Sequence, residues 1–268
     1  MADPGAASSS PSSSSTRPTP STRRTLLAET WLVLGVSLGA SGIWALLSIV
    51  RRLTDPLPLN QQRSALNSAV TPDRPWLDLA YQVVGIGLAL VPVLLVTHLL
   101  RRADPGALAR IGADLARPGS DLLRGVGLAA VVGVPGLGFY LAARAVGINT
   151  TVSASGLGAV WWAVPVLVLA AVQNAVLEEV VMVGYLFTRW RQAGWGVALV
   201  IVLSAVIRGT YHLYQGFGGF LGNVAMGVLF GWVYHRTGRV GPLVVAHALL
   251  DIVAFVGYAL LRGRVSWL

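Results

Sequence analysis

Long runs of apolar residues are the feature of this sequence that most restricts its fold. Seven such runs are each about twenty residues long, enough for a helix to cross a hydrocarbon core about 30 Å thick. Inside that core, backbone N–H and C=O groups must bond within the chain, so each run is predicted to be a helix. The runs lie at about residues 27–50, 79–100, 125–146, 160–187, 195–213, 217–234 and 240–261. The predicted fold is therefore all-α, a polytopic transmembrane helical bundle of about seven spans.

The composition agrees with a membrane protein and excludes several kinds of site. Charged residues make up 12% of the chain, whereas a soluble domain carries about a quarter. The absence of cysteine excludes disulfides, thiol catalysis and cysteine-ligated metals. All 20 basic residues are arginines, and they lie mainly at the ends of the apolar runs, which is typical of topology signals. We therefore predict the lipid bilayer, and no nucleic acid, as a partner.

The distribution of arginine predicts an orientation in the membrane. With the N-terminus in the cytoplasm, twelve arginines lie on the cytoplasmic side and seven on the other, although Arg51 and Arg52 oppose this arrangement. Loops rich in arginine tend to remain in the cytoplasm. The prediction is a multi-pass protein of the cell membrane with a cytoplasmic N-terminus.

The chain divides into three regions. Residues 1–24 are rich in Ser and Pro and have no apolar period, which predicts a disordered tail. Residues 25–147 contain three spans, and the charged and apolar residues that alternate over 101–124 predict a short helix at the membrane surface. Residues 148–264 hold most of the ionisable groups that fall inside spans, so we expect this region to carry the chemistry.

Ionisable side chains inside the last four apolar runs point to a buried polar site. They are Glu178, Glu179, Arg208, His212, His247 and Asp251. A charged residue at the centre of a spanning helix costs roughly 2.5–3.5 kcal/mol on insertion scales, so these groups are expected to face inward and to converge. By contrast, Glu29 lies one turn into the first run, where its carboxylate is expected to reach the lipid headgroups.

Helical spacing places several of these side chains on shared faces, because residues four apart on a helix point the same way. The pairs are Arg208 with His212, His247 with Asp251, and Asn174 with Glu178. Glu178 and Glu179 are about 100° apart around their helix and are expected to have different roles. A carboxylate beside a neutral imidazole is a competent base for activating water, and further donors in a dry cavity stabilise an oxyanion. The pattern favours a hydrolytic site inside the bilayer.

At these residues the sequence resembles the CAAX protease and bacteriocin-processing family of intramembrane glutamic endopeptidases. The family's first motif, Glu-Glu-x-x-x-Arg, corresponds to Glu178-Glu179 with Val183 in the arginine position. The second, Phe-x-x-x-His, corresponds to Arg208 through His212, and the third, His-x-x-x-Asn or Asp, to His247 through Asp251. The resemblance covers about residues 160–258, with the motifs in the family's order.

The resemblance implies an intramembrane endopeptidase that acts on a membrane-associated peptide or protein. It implies that Glu178 and His212 activate the water molecule, and that His247 with Asp251 contacts the oxyanion or orients the scissile carbonyl. It gives Glu179 a structural part, normally neutralised by the arginine of the motif. Whether the substrate is prenylated is left open.

Two departures from the family pattern leave other functions open. Because Val183 replaces the motif's arginine, we hypothesise that Arg208 supplies the missing charge and pairs with Glu179. An ionised Asp251 does not donate to an oxyanion, so it is either protonated or accepts from His247 and fixes its tautomer. The alternative function is a non-catalytic membrane scaffold or immunity-type relative that binds peptide or lipid. A transporter is a third, because intramembrane acids also mark ion relays.

Zinc is the chemical alternative to a metal-free mechanism. By side-chain type, Glu178, His212, His247 and Asp251 would form a zinc ligand set. The chain lacks His-Glu-x-x-His, the usual helical pairing of two zinc ligands with a base. The prediction is therefore a site without a cofactor, with zinc at this cluster as the alternative.

Overall fold

The computed structural model describes residues 19–265, and helices occupy most of them. The helices are α1 (Pro20–Gly35), α2 (Leu38–Leu53), α3 (Pro75–Ala89), α4 (Val91–Ala103), α5 (Ala107–Arg110), α6 (Pro118–Ala145), α7 (Ala163–Glu178), α8 (Leu186–Gln192), α9 (Val197–Tyr211), α10 (Phe217–Thr237) and α11 (Gly241–Leu261). A π-helical stretch over Glu179–Tyr185, here called the π segment, continues α7 directly into α8. The predicted all-α bundle is confirmed.

The lengths of the helices confirm a multi-pass membrane protein and refine the number of spans. Five continuous helical stretches are long and apolar enough to cross a membrane, and the bent pair α1–α2 would make a sixth. The five are Pro75–Ala103, Pro118–Ala145, Ala163–Gln192, Phe217–Thr237 and Gly241–Leu261. The fifth predicted span, 195–213, is the 15-residue helix α9, which begins after Gly196 and ends at Tyr211. A helix of that length is too short to cross the full hydrocarbon core.

The N-terminal boundaries differ from those predicted. Helix α1 begins at Pro20, inside the stretch 1–24 that was expected to be a tail, and residues 1–18 lie outside the described part of the chain. Proline is favoured in the first turn of a helix, and the Thr19 side chain accepts a hydrogen bond from the Thr22 N–H. The start of the helix is therefore set by local capping.

The surface helix predicted over 101–124 is largely absent. Only the four-residue α5 forms between the end of α4 and the start of α6. The side chains of Asp104 and Asp114 each accept a hydrogen bond from the backbone N–H two residues on, at Gly106 and Ala116. Such local bonds compete with helix formation and favour turns.

The buried core surrounds the π segment. All seven of its residues are buried, and Val181, Met182 and Tyr185 are completely enclosed. In the span formed by α7, the π segment and α8, 61% of the residues in its apolar 18-residue stretch are buried within the molecule. The corresponding share for the span of α6 is 6%. The helix that carries both adjacent glutamates is therefore the central element, and α6 lies on the outside.

Glu29 ties α1 to this central helix. Its Oε1 accepts hydrogen bonds from the Tyr185 hydroxyl and from Arg189 Nε, each at 2.8 Å. Glu29 is therefore committed to partners on the central helix, and its level relative to the headgroups stays a prediction. A buried arginine requires a carboxylate or carbonyl partner, and Glu29 supplies one to Arg189.

Two loops meet over one end of the bundle and fix the turn between α9 and α10. Strands β1 (Arg63–Ala65) and β2 (Thr151–Ser153) pair in parallel. The Ser64 hydroxyl donates to the carbonyl of Tyr214, and the Thr150 N–H donates to the carbonyl of Gln215. The residues that follow α9 are therefore held from outside the helical bundle.

An ion cluster closes the opposite end, where α11 begins. Arg239 donates to Asp121 at 2.6 Å and to Asp114 at 2.8 Å, and the Val240 N–H donates to the carbonyl of Ile111. These bonds join the loop before α6 to the start of α11. The first residues of α11 consequently lie inside the protein, with Val240 and Leu243 fully buried.

The substitution Asp114→Asn is expected to lower thermal stability at neutral pH and to have little effect in acid. Hydrogen bonds from Arg239 and from the backbone of Ala116 hold the pKa of Asp114 below its ordinary value of 3.8. A carboxyl whose pKa is lowered by folding stabilises the fold above its ordinary pKa, and that contribution disappears as the pH falls through the lowered value.

The measurement is the midpoint of thermal unfolding in detergent, followed for both proteins from neutral pH into acid below about pH 4. The gap between the two midpoints should narrow as the pH falls. Asp73→Asn, in an exposed loop, is the matched control and should show no gap. A gap for Asp114→Asn that stays constant with pH would contradict the assignment.

Candidate active site

The adjacent glutamates lie where α7 passes into the π segment, and they bind different neighbours. Glu178 Oε2 accepts a hydrogen bond from the Tyr211 hydroxyl at 2.7 Å. Glu179 Oε1 accepts from Arg208 Nη2 at 2.6 Å and contacts His247 Nδ1 at 2.7 Å. The different surroundings of the two carboxylates agree with their angular separation on the helix. Stretches of π-helix are frequent at functional sites.

The ion pair between Arg208 and Glu179, which the sequence predicted, is present and completely buried. Their side chains are 1% and 0% exposed. Arg208 also lies over the Phe230 ring, with its guanidinium carbon 5.6 Å from the ring centre. Gly227 makes room for it, because a Cβ there would lie 2.8 Å from the Ala205 Cα and 3.3 Å from the Arg208 side chain. The charge missing at position 183 is thus supplied by a neighbouring helix.

Glu179 also orients His247. An ionised carboxylate only accepts hydrogen bonds, so Nδ1 carries the proton and Nε2 is directed away from Glu179. Asp251 Oδ2 lies 3.8 Å from Nε2, beyond hydrogen-bond length, and accepts instead from Asn174 Nδ2 at 3.4 Å. The tautomer of His247 is therefore fixed by Glu179, whereas the sequence suggested Asp251 as one candidate for this part.

His212 ends α9 with its ring in a defined orientation. Its Nδ1 lies 3.0 Å from the carbonyl oxygen of Arg208, which only accepts, so Nδ1 donates. In the neutral ring the lone pair is then on Nε2. The ring also packs beside Tyr211 and Tyr214, at centroid distances of 4.8 and 6.4 Å. This state of the ring is the one required of a base.

The predicted site residues come from three separate helical stretches and converge. Glu178 accepts from Tyr211, whose ring packs beside His212, and the adjacent Glu179 contacts His247. The central helix therefore brings the two imidazoles to the same pair of carboxylates.

Tyr211 is the site residue whose role sequence reasoning missed. It is buried and its hydroxyl donates to Glu178. Its position next to His212, and three residues after Arg208, was the available signal, since residues three apart share a helix face. Many membrane tyrosines lie at interfaces instead, so the sequence alone did not separate the two cases.

The geometry gives no metal centre in the described part of the chain. Within residues 19–265, no group of three or more His, Asp or Glu side chains is arranged to hold a metal ion. Glu179 and His247 bind each other, and Glu178 is bound to Tyr211. Zinc at the predicted cluster stays a prediction, and chelation of the purified protein tests it.

Comparison with known proteins bears on the same helices. Residues 160–253 match the family model described as type II CAAX prenyl endopeptidase Rce1-like. The resemblance to the CAAX protease family is confirmed. The match, here called the Rce1-like segment, covers about a third of the chain and contains all three motifs. No curated protein and no solved structure gives a significant match.

The substitution Arg208→Phe is expected to destabilise the protein, and adding Val183→Arg is expected to restore part of the loss. Removing one partner of a buried ion pair costs about 3–5 kcal/mol because the other charge is left unpaired. Val183 is buried in the π segment four residues after Glu179, where the family pattern has its arginine.

The measurement is thermal unfolding of the single variant and the double variant in detergent. Arg124→Phe, which replaces an exposed arginine of α6, is the control and should leave the midpoint nearly unchanged. A double variant no more stable than Arg208→Phe would show that the two positions are not interchangeable sources of charge.

Proposed function

We propose that this chain is an intramembrane endopeptidase that hydrolyses peptide bonds of membrane-associated proteins or peptides with water activated by Glu178 and His212. The observation that carries the proposal is the contact of the adjacent glutamates with Tyr211, which packs beside His212, and with His247, in the buried centre of the Rce1-like segment. We further propose that the protein lies in the cell membrane with its N-terminus in the cytoplasm. Its substrate would reach the site from the bilayer or its surface.

Glu178 and His212 have the arrangement that water activation requires. Because the Tyr211 hydroxyl occupies Oε2, Glu178 Oε1 is the oxygen left to accept a proton from water. His212 Nε2 offers a second lone pair, since its Nδ1 is committed to the Arg208 carbonyl. The activated water would attack the scissile carbonyl, and the proton taken by the base would pass to the departing amine.

His247 would stabilise the tetrahedral intermediate. The Glu179 carboxylate beside Nδ1 stabilises the protonated ring, and in that form Nε2 is a donor as well. A donor held in a dry site stabilises the oxyanion of a tetrahedral intermediate. Asp251 and Asn174 bind each other at the same face, so we assign them to positioning rather than to proton transfer.

The non-catalytic alternative loses part of its support. It rested on the altered first motif, in which Val183 removes the arginine. Arg208 restores a buried partner for Glu179 from a different helix, so the ion pair that the motif provides is retained.

Glu178→Gln is expected to abolish proteolysis while the protein still folds. The change keeps the shape of the side chain and removes the base, and loss of a general base lowers the rate by about 10²–10⁴-fold. Cells expressing the wild type or the variant would be compared by mass spectrometry of new peptide termini in the membrane fraction. This readout needs no prior choice of substrate.

Asp55→Asn, an exposed carboxyl-to-amide change in a loop, is the control and should leave the termini unchanged. Identical termini in wild type and Glu178→Gln would remove the enzymatic function and favour the scaffold. Cleavage by purified protein that stops after chelation and returns with zinc would replace the metal-free mechanism.

Tyr211→Phe is expected to lower turnover about 10- to 100-fold with little change in KM. The substitution keeps the ring against His212 and removes one hydrogen bond to a carboxylate, which is worth about 1.5–3 kcal/mol. Tyr258→Phe is the matched control, because its hydroxyl bonds Ser153 and not a carboxylate. Equal rates for wild type and Tyr211→Phe would show that Tyr211 does not position Glu178.

A further inference from the structure

A cavity lies at the end of the bundle opposite the β1–β2 pair. Its volume is about 300 Å³, and it is bounded by the last turns of α4, α8 and α10, by α5 and by the first turn of α9. The proposed catalytic residues do not line it. Phe187 and Thr188, on its wall, are eight and nine residues beyond Glu179 on the continuous central helix.

The charged side chains that line the cavity are mainly positive. Arg110, Arg189 and Arg191 border it together with His235, and Asp104 is the one carboxylate among the described lining residues. Asp104 pairs with Arg110 at 2.5 Å. Arg191 donates to the backbone carbonyl of Trp195, and in the described chain it has no carboxylate within salt-bridge distance. Arg189 pairs with Glu29, which lies outside the lining, so the net positive charge of the cavity comes from Arg191.

The inner wall of the cavity is apolar. Leu100, Ile111 and Phe187 form it, and all three are buried in the main core. The cavity thus combines guanidinium groups at its mouth with hydrocarbon on its inner side. A free inorganic anion would use only the first of these features, whereas a phospholipid presents both a phosphate and an apolar body.

The position of the cavity matches the level of lipid headgroups. The spans end here, and the last turn of α4 carries the exposed Arg101 and Arg102 outside the lining. Trp232, exposed on α10, packs under the Arg236 guanidinium at 5.3 Å, and tryptophan is enriched at this level of a membrane. Basic pockets between spanning helices bind anionic lipid headgroups.

We propose that this cavity binds the phosphate headgroup of an anionic phospholipid. Arg110 and Arg191 contact the phosphate, since guanidinium groups match phosphate oxygens in geometry and charge. An acyl chain of the lipid lies against the apolar wall. The site is independent of the proposed peptidase reaction, and it would hold a lipid beside the helix that carries Glu178 and Glu179.

The test compares a double variant of the cavity with a double variant of the nearby surface. Arg110→Gln with Arg191→Gln removes two charges from the lining, and Arg101→Gln with Arg102→Gln removes two charges from the same end of the bundle outside it. Each full-length protein is placed in phosphatidylcholine nanodiscs and titrated with phosphatidylglycerol. Native mass spectrometry then measures the phosphatidylglycerol retained on the protein.

The cavity variant is expected to bind phosphatidylglycerol about tenfold more weakly than the wild type, from the usual effect of basic residues near a lipid surface. The surface variant should bind like the wild type. Equal binding by all three proteins overturns the proposal. So does an equal loss in both variants, because that result indicates diffuse surface charge.

Two further arms keep the result interpretable. Ala103→Trp fills the mouth of the cavity from an exposed position without changing charge, and it should also weaken binding even if the arginine variant does not fold. Inorganic phosphate added at a concentration equal to the lipid should not displace it. Displacement by phosphate alone would show an anion site rather than a lipid site and would overturn the assignment to a phospholipid.

Discussion

One carboxylate oxygen, Glu179 Oε1, binds both Arg208 and His247 and so joins three helical stretches at the centre of the bundle. In hydrocarbon an unpaired charge is costly, so each of these groups is stable there because the others are present. The positions of α9 and α11 relative to the central helix depend on this contact. The orientation of the His247 ring depends on it as well, which links the stability of the fold to the geometry of the proposed reaction.

The site shows how a motif can be altered while its electrostatics are kept. The family pattern has an arginine four residues after the second glutamate, and this chain has Val183 there. Arg208 provides the same charge from α9, and Gly227 on α10 leaves the space that its side chain needs. Coulomb attraction depends on distance and surroundings and not on which helix supplies the partner. A search for the motif along one helix alone would therefore miss the arginine that pairs with Glu179.

Particular residues show where sequence reasoning succeeded and where it did not. The cost of burying charge was enough to select the six ionisable residues of the last four runs as a converging set. The resemblance to the family, with Val183 in the arginine position, then paired Arg208 with Glu179. Tyr211 was not selected as a site residue, because a tyrosine near the end of a span is commonly interfacial. For Glu29 the sequence predicted a level in the membrane but not its partner, Arg189. In both cases the partner lies on a helix far away in sequence, and no local spacing reveals it.

The sequence by itself determined the class of fold and the identity of the groups that must be buried together. Both follow from the energetics of a hydrocarbon solvent, which acts on every residue of a span regardless of its neighbours. Only the tertiary structure decided the length of α9, the burial of the first residues of α11, and which atom each carboxylate binds. Those features depend on contacts such as Val240 with Ile111 and Tyr211 with Glu178, which join residues distant in the chain and form only once the helices have packed.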